Sequence, residues 1–234
     1  MLTVAEGGAV STFTYDVGYP ETRNRLTVGL RFIWAIPHLI VSQVWGYLAQ
    51  VLGVIQWFIV LFTGKRNEGI WNLQQSWLHY YSRVLGYTNL LYDEYPAFGT
   101  DVGSVPVRSA ITFEESANRL TVALRLIWII PAYIILVVVG IGSFVLLVIS
   151  WFAILFTGKQ SRSMWDFILK VARFQLQVQS YGLLMTDIYP KFGEGAMAAG
   201  ASMPTSTSTS TSPPPPPPPP PASFTPPPPP PPPA

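Results

Sequence analysis

Shifted by 94 positions, the chain lies over itself without a gap. NRLTVGLRFIWAIP (Asn24 to Pro37) falls on NRLTVALRLIWIIP (Asn118 to Pro131), and WFIVLFTGK (Trp57 to Lys65) falls on WFAILFTGK (Trp151 to Lys159). The register continues through Trp71 and Trp165, Tyr87 and Tyr181, and Asp93 and Asp187. It closes with YPAFG (Tyr95 to Gly99) on YPKFG (Tyr189 to Gly193). A duplication obliges one structural unit to form twice, and two copies of so long a period argue for a pair of modules rather than a solenoid.

Each copy contains a run free of acidic residues, Leu26 to Phe62 and Leu120 to Phe156, whose only formal charges are Arg31 and Arg125. As a single helix each run would extend about 55 Å, against about 30 Å of bilayer hydrocarbon. The expectation is that each run folds back, at Gly46 in the first copy and at Gly140 with Gly142 in the second. That yields four transmembrane helices, Arg25 to Trp45, Tyr47 to Phe62, Arg119 to Val139 and Ser143 to Phe156, arranged as two hairpins. The second member of each is short, so a re-entrant hairpin that stops before the far side stands as the alternative. Arg23, Arg25, Lys65 and Arg66 flank the first hairpin and Arg119, Lys159 and Arg162 the second, while the tips carry no charge. The positive-inside rule then places the open ends and both termini in the cytoplasm. An even number of crossings per copy makes the repeats parallel rather than inverted.

Composition excludes several classes. Lys and Arg number 14 against 12 acids, a net charge of +2 that leaves no nucleic-acid footprint. The absence of cysteine rules out disulfides, thiolate metal sites and a Cys nucleophile. Two histidines, His38 and His79, leave little for zinc or a histidine triad, and no cofactor is expected. Met1 to Val10 lacks the basic start and apolar run of a signal peptide. All twelve acids lie outside the apolar runs, which disfavours a carboxylate proton relay.

After each run comes a semi-polar stretch. In the second copy Trp165, Ile168, Leu169, Ala172 and Leu176 recur at helical spacing and predict an amphipathic helix at the cytoplasmic interface. In the first copy Trp71, Leu78 and Leu85 hold that stripe, with Gln74 and Gln75 weakening it. Ser11 to Val17 and Val107 to Phe113 alternate as short strands do, and would pair with each other. Beyond Gly193 a Thr/Ser stretch leads into the proline runs Pro213 to Pro221 and Pro226 to Pro233, read as a disordered tether with polyproline II rods. The organisation expected is an N-terminal segment (1–18), a first membrane module (19–99), a linker (100–113), a second module (114–193) and the tail (194–234). The fold class is an all-α membrane protein with small strand pieces.

NRLTVxLRxIWxIP, then WFxxLFTGK, an aromatic-rich amphipathic stretch and a closing D-x-Y-P-x-F-G together resemble the bacterial membrane-protein family called domain of unknown function four-three-eight-nine, twice in tandem over roughly Tyr19 to Gly193. The resemblance implies a bacterial inner-membrane location and supplies no activity, cofactor or catalytic residue. Glu94 becomes Ile188 in the second copy, so that acid is not common to the modules.

Arg31 and Arg125 lie about 10 Å along the helix from the basic flanks. Either they snorkel to the headgroups, or they form a basic pocket for an anionic lipid phosphate or a subunit carboxylate. His38, Ser42, Gln43, Gln50 and Gln56 of the first copy answer to Ala132, Leu136, Val137, Phe144 and Ser150 of the second. This polar set marks the first module for contact with a partner or for lining a cavity, unless Gln43 and Gln50 merely sit at a wet tip. FTGK lacks the strand, glycines and helix of a phosphate loop and reads as a helix stop. The YP-x-F pieces read as turns that seat aromatics at the membrane surface.

These observations favour a non-enzymatic integral membrane scaffold or accessory subunit of a larger assembly, as a homo-oligomer or with an unidentified protein, with the polyproline tail offered to cytoplasmic partners. A lipid or small-solute transporter or channel subunit is the alternative.

Overall fold

The computed structural model describes residues 13–100 and 105–193. The tail, the first twelve residues and part of the linker lie outside the described residues, and with them the expected tether and the start of the first strand. The elements in chain order are β1 (Thr14–Val17), α1 (Arg25–Thr63), α2 (Glu68–Thr88), β2 (Val107–Ala110), α3 (Arg119–Thr157) and α4 (Arg162–Gly182).

Both long helices start and stop by the same chemistry. Asn24 caps α1, its side chain accepting from the amides of Leu26 and Thr27, and Asn118 does the same for α3. Gly64 and Gly158 end them in the left-handed conformation, at φ 75° and 73°. Between these caps the expected bends are absent: each apolar run is one continuous helix of 39 residues that passes through Gly46 or Gly140. An interior glycine costs a helix only about 1 kcal/mol, whereas opening the helix within an apolar run strands several backbone polar groups. Gly46 serves packing instead. A Cβ there would stand 3.2 Å from the Trp77 indole of α2. The four expected crossings thus reduce to two helices long and apolar enough to cross a membrane.

The chain reverses one step later, between Gly64 and Asn67, so the hairpins are α1 with α2 and α3 with α4. Helix α2 runs back along α1: the Asn67 amide donates to Gln56 Oε1, Gln74 Nε2 to the Ala49 carbonyl and Trp77 Nε1 to the Ser42 carbonyl, and Arg31 reaches the Tyr87 carbonyl near its far end. The buried stripe of α4 contains the expected Trp165, Ile168, Leu169, Ala172 and Leu176.

The two modules meet about a pseudo-two-fold axis, and the register locates it. In the antiparallel ribbon Tyr15 pairs with Ser109, its own equivalent in the other copy. At the seam between α2 and α4, Gln175 Nε2 donates to Tyr81 Oη, again between equivalent positions. Tryptophans lock the halves reciprocally. Trp57 Nε1 donates to the Val122 carbonyl and Trp151 Nε1 to the Val28 carbonyl, while Trp71 and Trp165 reach the carbonyls of Met185 and Leu91. Helices α1 and α3 therefore lie antiparallel, each end of one beside the opposite end of the other.

The result is three layers. The ribbon rests on α2 and α4, with Tyr15 Oη donating to the Ser82 carbonyl and Arg173 Nε to the Tyr15 carbonyl. On α2, His79, Ser82 and Gly86 face the ribbon while Gln74, Trp77 and Tyr80 face α1 from nearly the opposite side of the helix. The main core fills the space between these layers with Trp71, Trp77, Trp165, Tyr87, Tyr92 and Leu176.

Candidate functional site

Of the groups that sequence reasoning singled out, Arg31 and Arg125 each anchor a polar centre, one in each module. Arg31 sits two turns into α1, where its guanidinium donates from Nη2 to Asp93 Oδ1 at 2.6 Å and from Nη1 to the Tyr87 carbonyl at 3.0 Å. It also stacks on the Tyr87 ring, 4.6 Å from the centroid. Asp93 Oδ2 in turn accepts the Asn24 amide, tying the carboxylate to the helix cap. Leu90, in the left-handed conformation at φ 56°, turns the chain so that Asp93 comes back under α1.

The second centre repeats these contacts. Arg125 donates to Asp187 and to the carbonyls of Tyr181 and Thr186 and stacks on Tyr181 at 4.3 Å, and Asp187 follows a left-handed Leu184. Its side chain is 3% exposed and that of Arg31 1%. Neither arginine reaches outward toward headgroups. Each is consumed inside the module, joining the first turns of a long helix to the exit of the following one.

A second guanidinium completes each centre, and the two centres recruit it differently. Asp93 has Arg23, whose Nε lies 3.5 Å away and whose Nη2 donates to the Leu90 carbonyl. Asp187 has Arg66 at 2.6 Å, supplied by the other module's helix stop, with further bonds to the carbonyls of Leu184, Glu114 and Ser116. The repeat offset puts Ala117 where Arg23 belongs and Gln160 where Arg66 belongs. The backbone is the same in both places, because the Arg23 amide donates to the Gly158 carbonyl and the Ala117 amide to the Gly64 carbonyl. One buried arginine enters each centre, from the N-terminal flank in the first and across the module boundary in the second. Burial, and secondarily the neighbouring Arg31, push the Arg23 guanidinium down to about 10, with Asp93 opposing the shift, so it stays charged at neutral pH.

The remaining candidates divide. His38 and Gln56 are buried against α2, whereas Gln43 and Gln50 face outward from the middle of α1. His38 Nδ1 meets Tyr80 Oη at 2.8 Å and its ring stacks on Phe98 at 4.0 Å, with Tyr95 edge-on at 4.7 Å. The YPAFG turn thus seats its aromatics on α1. Ser42 accepts Trp77 Nε1 through its carbonyl. In the second module Ala132 packs with Phe174 and Val178 at the corresponding place. Three buried atoms of the polar seam, His38 Nε2, Gln56 Nε2 and Gln74 Oε1, have no hydrogen-bond partner among the described residues.

The cations that face the helix stops come from the other module rather than from the FTGK lysines. Lys65 is exposed and pairs with Glu115 at 2.8 Å. Arg119 of the other module lies against Gly64 instead, where an added Cβ would be 2.9 Å from its Nε, and Arg25 lies against Gly158 in the mirror arrangement. Each long helix has its negative C-terminal end faced by an arginine from the N-terminus of its neighbour.

A family model, Domain of unknown function (DUF4389), matches residues 25–99 and again residues 119–193. The chain belongs to this family. Each DUF4389 copy opens beside its asparagine cap and closes on the glycine of its YPxFG turn, so the Arg31, Tyr87 and Asp93 set and the Arg125, Tyr181 and Asp187 set fall wholly within the matched spans. Arg66 also lies within the first DUF4389 span, but Arg23 lies outside it. No curated protein and no solved structure matches the chain.

The sequence alone does not pair the arginines with Tyr87, Tyr181, Asp93 and Asp187, and it offers Arg66 only as a flanking charge. The signal was present in the repeat, since Arg31, Tyr87 and Asp93 all recur at the same offset as Arg125, Tyr181 and Asp187.

Proposed function

We propose that this chain is a non-enzymatic, membrane-embedded scaffold or accessory subunit at the bacterial inner membrane, with both termini cytoplasmic and the proline-rich segment beyond Gly193 offered to polyproline-reading partners. One observation carries the reading. Among the described residues, large apolar side chains stand exposed at 17 positions of α1 and 18 of α3, against 5 elsewhere. Soluble monomers rarely expose apolar patches beyond a few hundred Å². Only 11% of the most apolar stretch of α3 is buried, which is not how the core helix of a soluble domain behaves.

The polar chemistry supports a structural role. The arginines and aspartates of both centres are spent on one another and on backbone carbonyls, so they hold the modules together rather than present a reactive group. A lipid or small-solute path is the second reading. It is favoured by the buried polar seam of the first module with its unpartnered His38, Gln56 and Gln74 atoms.

Affinity purification from native membranes in mild detergent, followed by mass spectrometry and sizing, separates the two. A stoichiometric partner protein is the expected result. A ring of copies with bound lipid or solute, and no partner, would replace the scaffold reading with the transport one.

A further inference from the structure

We propose that α1 and α3 lie in the plane of the membrane, embedded in the cytoplasmic leaflet only, and that the occupant of their shared apolar face is one leaflet of an anionic bilayer. This rests on the membrane reading above and gives it a geometry.

Length is the first argument. A helix of 39 residues is about 58 Å long, so crossing about 30 Å of hydrocarbon would require a tilt of roughly 60°. Spanning helices tilt by about 0–40°.

The second argument is where the polar parts sit along that length. The ribbon is carried on α2 by His79 and Ser82, within a few residues of Trp77, which packs on Ser42 and Gly46 at the midpoint of α1. Were α1 upright in the bilayer, the ribbon would lie at its centre. A two-stranded ribbon has unpaired edges, which hydrocarbon does not tolerate. Asp16 and Arg173, ion-paired at 2.8 Å beside that ribbon, and the exposed Asp166 of α4 would be carried into the same apolar depth. Turning the molecule so that the pseudo-two-fold axis stands along the membrane normal removes every conflict. The apolar faces of α1 and α3 then enter lipid, α2 and α4 lie above them, and the ribbon faces water.

Charge is the third argument. Arg25, Lys159 and Arg162, the last paired with Asp166, gather at one end of the helix pair, and Arg119 and Lys65, the latter paired with Glu115, at the other, and along the two helices between these ends the only charges are the buried Arg31 and Arg125. An upright pair would place basic clusters on both sides of the membrane, against the positive-inside rule. In the flat arrangement both clusters meet the anionic headgroups of one leaflet.

The cysteine-free sequence makes the test direct. Single changes Thr22→Cys, Tyr47→Cys and Glu68→Cys mark one end, the middle and the other end of α1, all at exposed positions. Each full-length variant is expressed in bacteria, and spheroplasts are treated with an impermeant maleimide before and after lysis. Carbonate-washed membranes are assayed in parallel. The expected result is protein in the membrane pellet, no labelling from outside at any position, and labelling of Thr22→Cys and Glu68→Cys after lysis. Labelling of Thr22→Cys or Glu68→Cys in intact spheroplasts would show a crossing helix and overturn the flat arrangement while leaving the membrane reading in place. Labelling of Tyr47→Cys from outside would overturn it as well. Recovery of the chain in the soluble fraction at twice its mass would mean that a second copy covers the apolar face, and would overturn both.

Discussion

The two modules share a backbone plan and differ in what fills the seam between their helices. In the first, α1 meets α2 through His38, Ser42, Gln56, Gln74 and Tyr80. In the second, the same places hold Ala132, Leu136, Ser150, Ile168 and Phe174. The parts that do not differ are the asparagine caps, the Arg, Tyr and Asp sets, the left-handed glycines and the reciprocal tryptophans. Duplication thus kept what closes the fold and left free what lies between the helices. The comparison also shows a compensated exchange, because each centre keeps one second guanidinium although it comes from a different segment.

The exchange is where the largest effect is expected. Removing Arg66 leaves Asp187 short of a buried partner and three carbonyls without a donor, so Arg66→Gln should destabilise the body by about 3 kcal/mol in denaturant titrations in detergent. Adding Ala117→Arg recreates the arrangement of the first centre and should restore at least half of that loss. A double variant whose cost equals the sum of the two single changes would show that the centres are not interchangeable.

Next in size are the helix stops. Gly64→Ala imposes a side chain on a left-handed backbone and places its Cβ 2.9 Å from Arg119, at an expected cost of about 2 kcal/mol. Gly158→Ala meets Arg25 at 3.2 Å and should cost slightly less. Equal stability of the two variants and the parent protein would remove the cross-module arginines from the account.

The seam itself predicts a gain. Gln74 is fully buried with Oε1 unpartnered, while its equivalent is Ile168. Gln74→Leu should raise stability by about 1 kcal/mol. A loss of that size would mean the first module depends on its polar seam for folding.

The smallest effect is one of pH. His79, whose equivalent is Arg173, bonds Ser109 through Nδ1 at 2.6 Å. Burial, and then the nearby Arg83, hold its imidazole below the usual value of 6.5. The unfolded chain then binds a proton more readily than the folded one. The stabilisation is fully present above about pH 6.5 and is lost as pH falls from there through the lower folded value. Thermal melts of His79→Gln should therefore show a shallower decline between neutral and mildly acidic pH than the parent, and superimposable profiles would contradict the assignment.

Much of this was legible in the sequence. The repeat offset and local periodicity gave the two copies, the glycine helix stops, the amphipathic α4 and the pairing of the two short strands, because each follows from local chemistry or from periodicity. The bend at Gly46 was misread. A glycine inside an apolar run looks the same whether it breaks the helix or admits an indole, and only the position of Trp77 decides. The arginines were misread for a related reason. Their distance from the flanks left snorkelling and a pocket for a phosphate or a subunit carboxylate as the readings, but Asp93 and Asp187 come from 62 residues further along, and nothing local announces that contact.

The central claim is that the long helices lie flat at one depth. Spin labels at Ile33→Cys, Ile40→Cys, Tyr47→Cys and Val54→Cys mark one exposed face of α1 over about 32 Å. Their immersion depth in anionic vesicles can be read from relative collision with oxygen and a polar nickel complex. The flat arrangement predicts nearly equal depths at all four. A steady change from one membrane surface through the bilayer centre would contradict it.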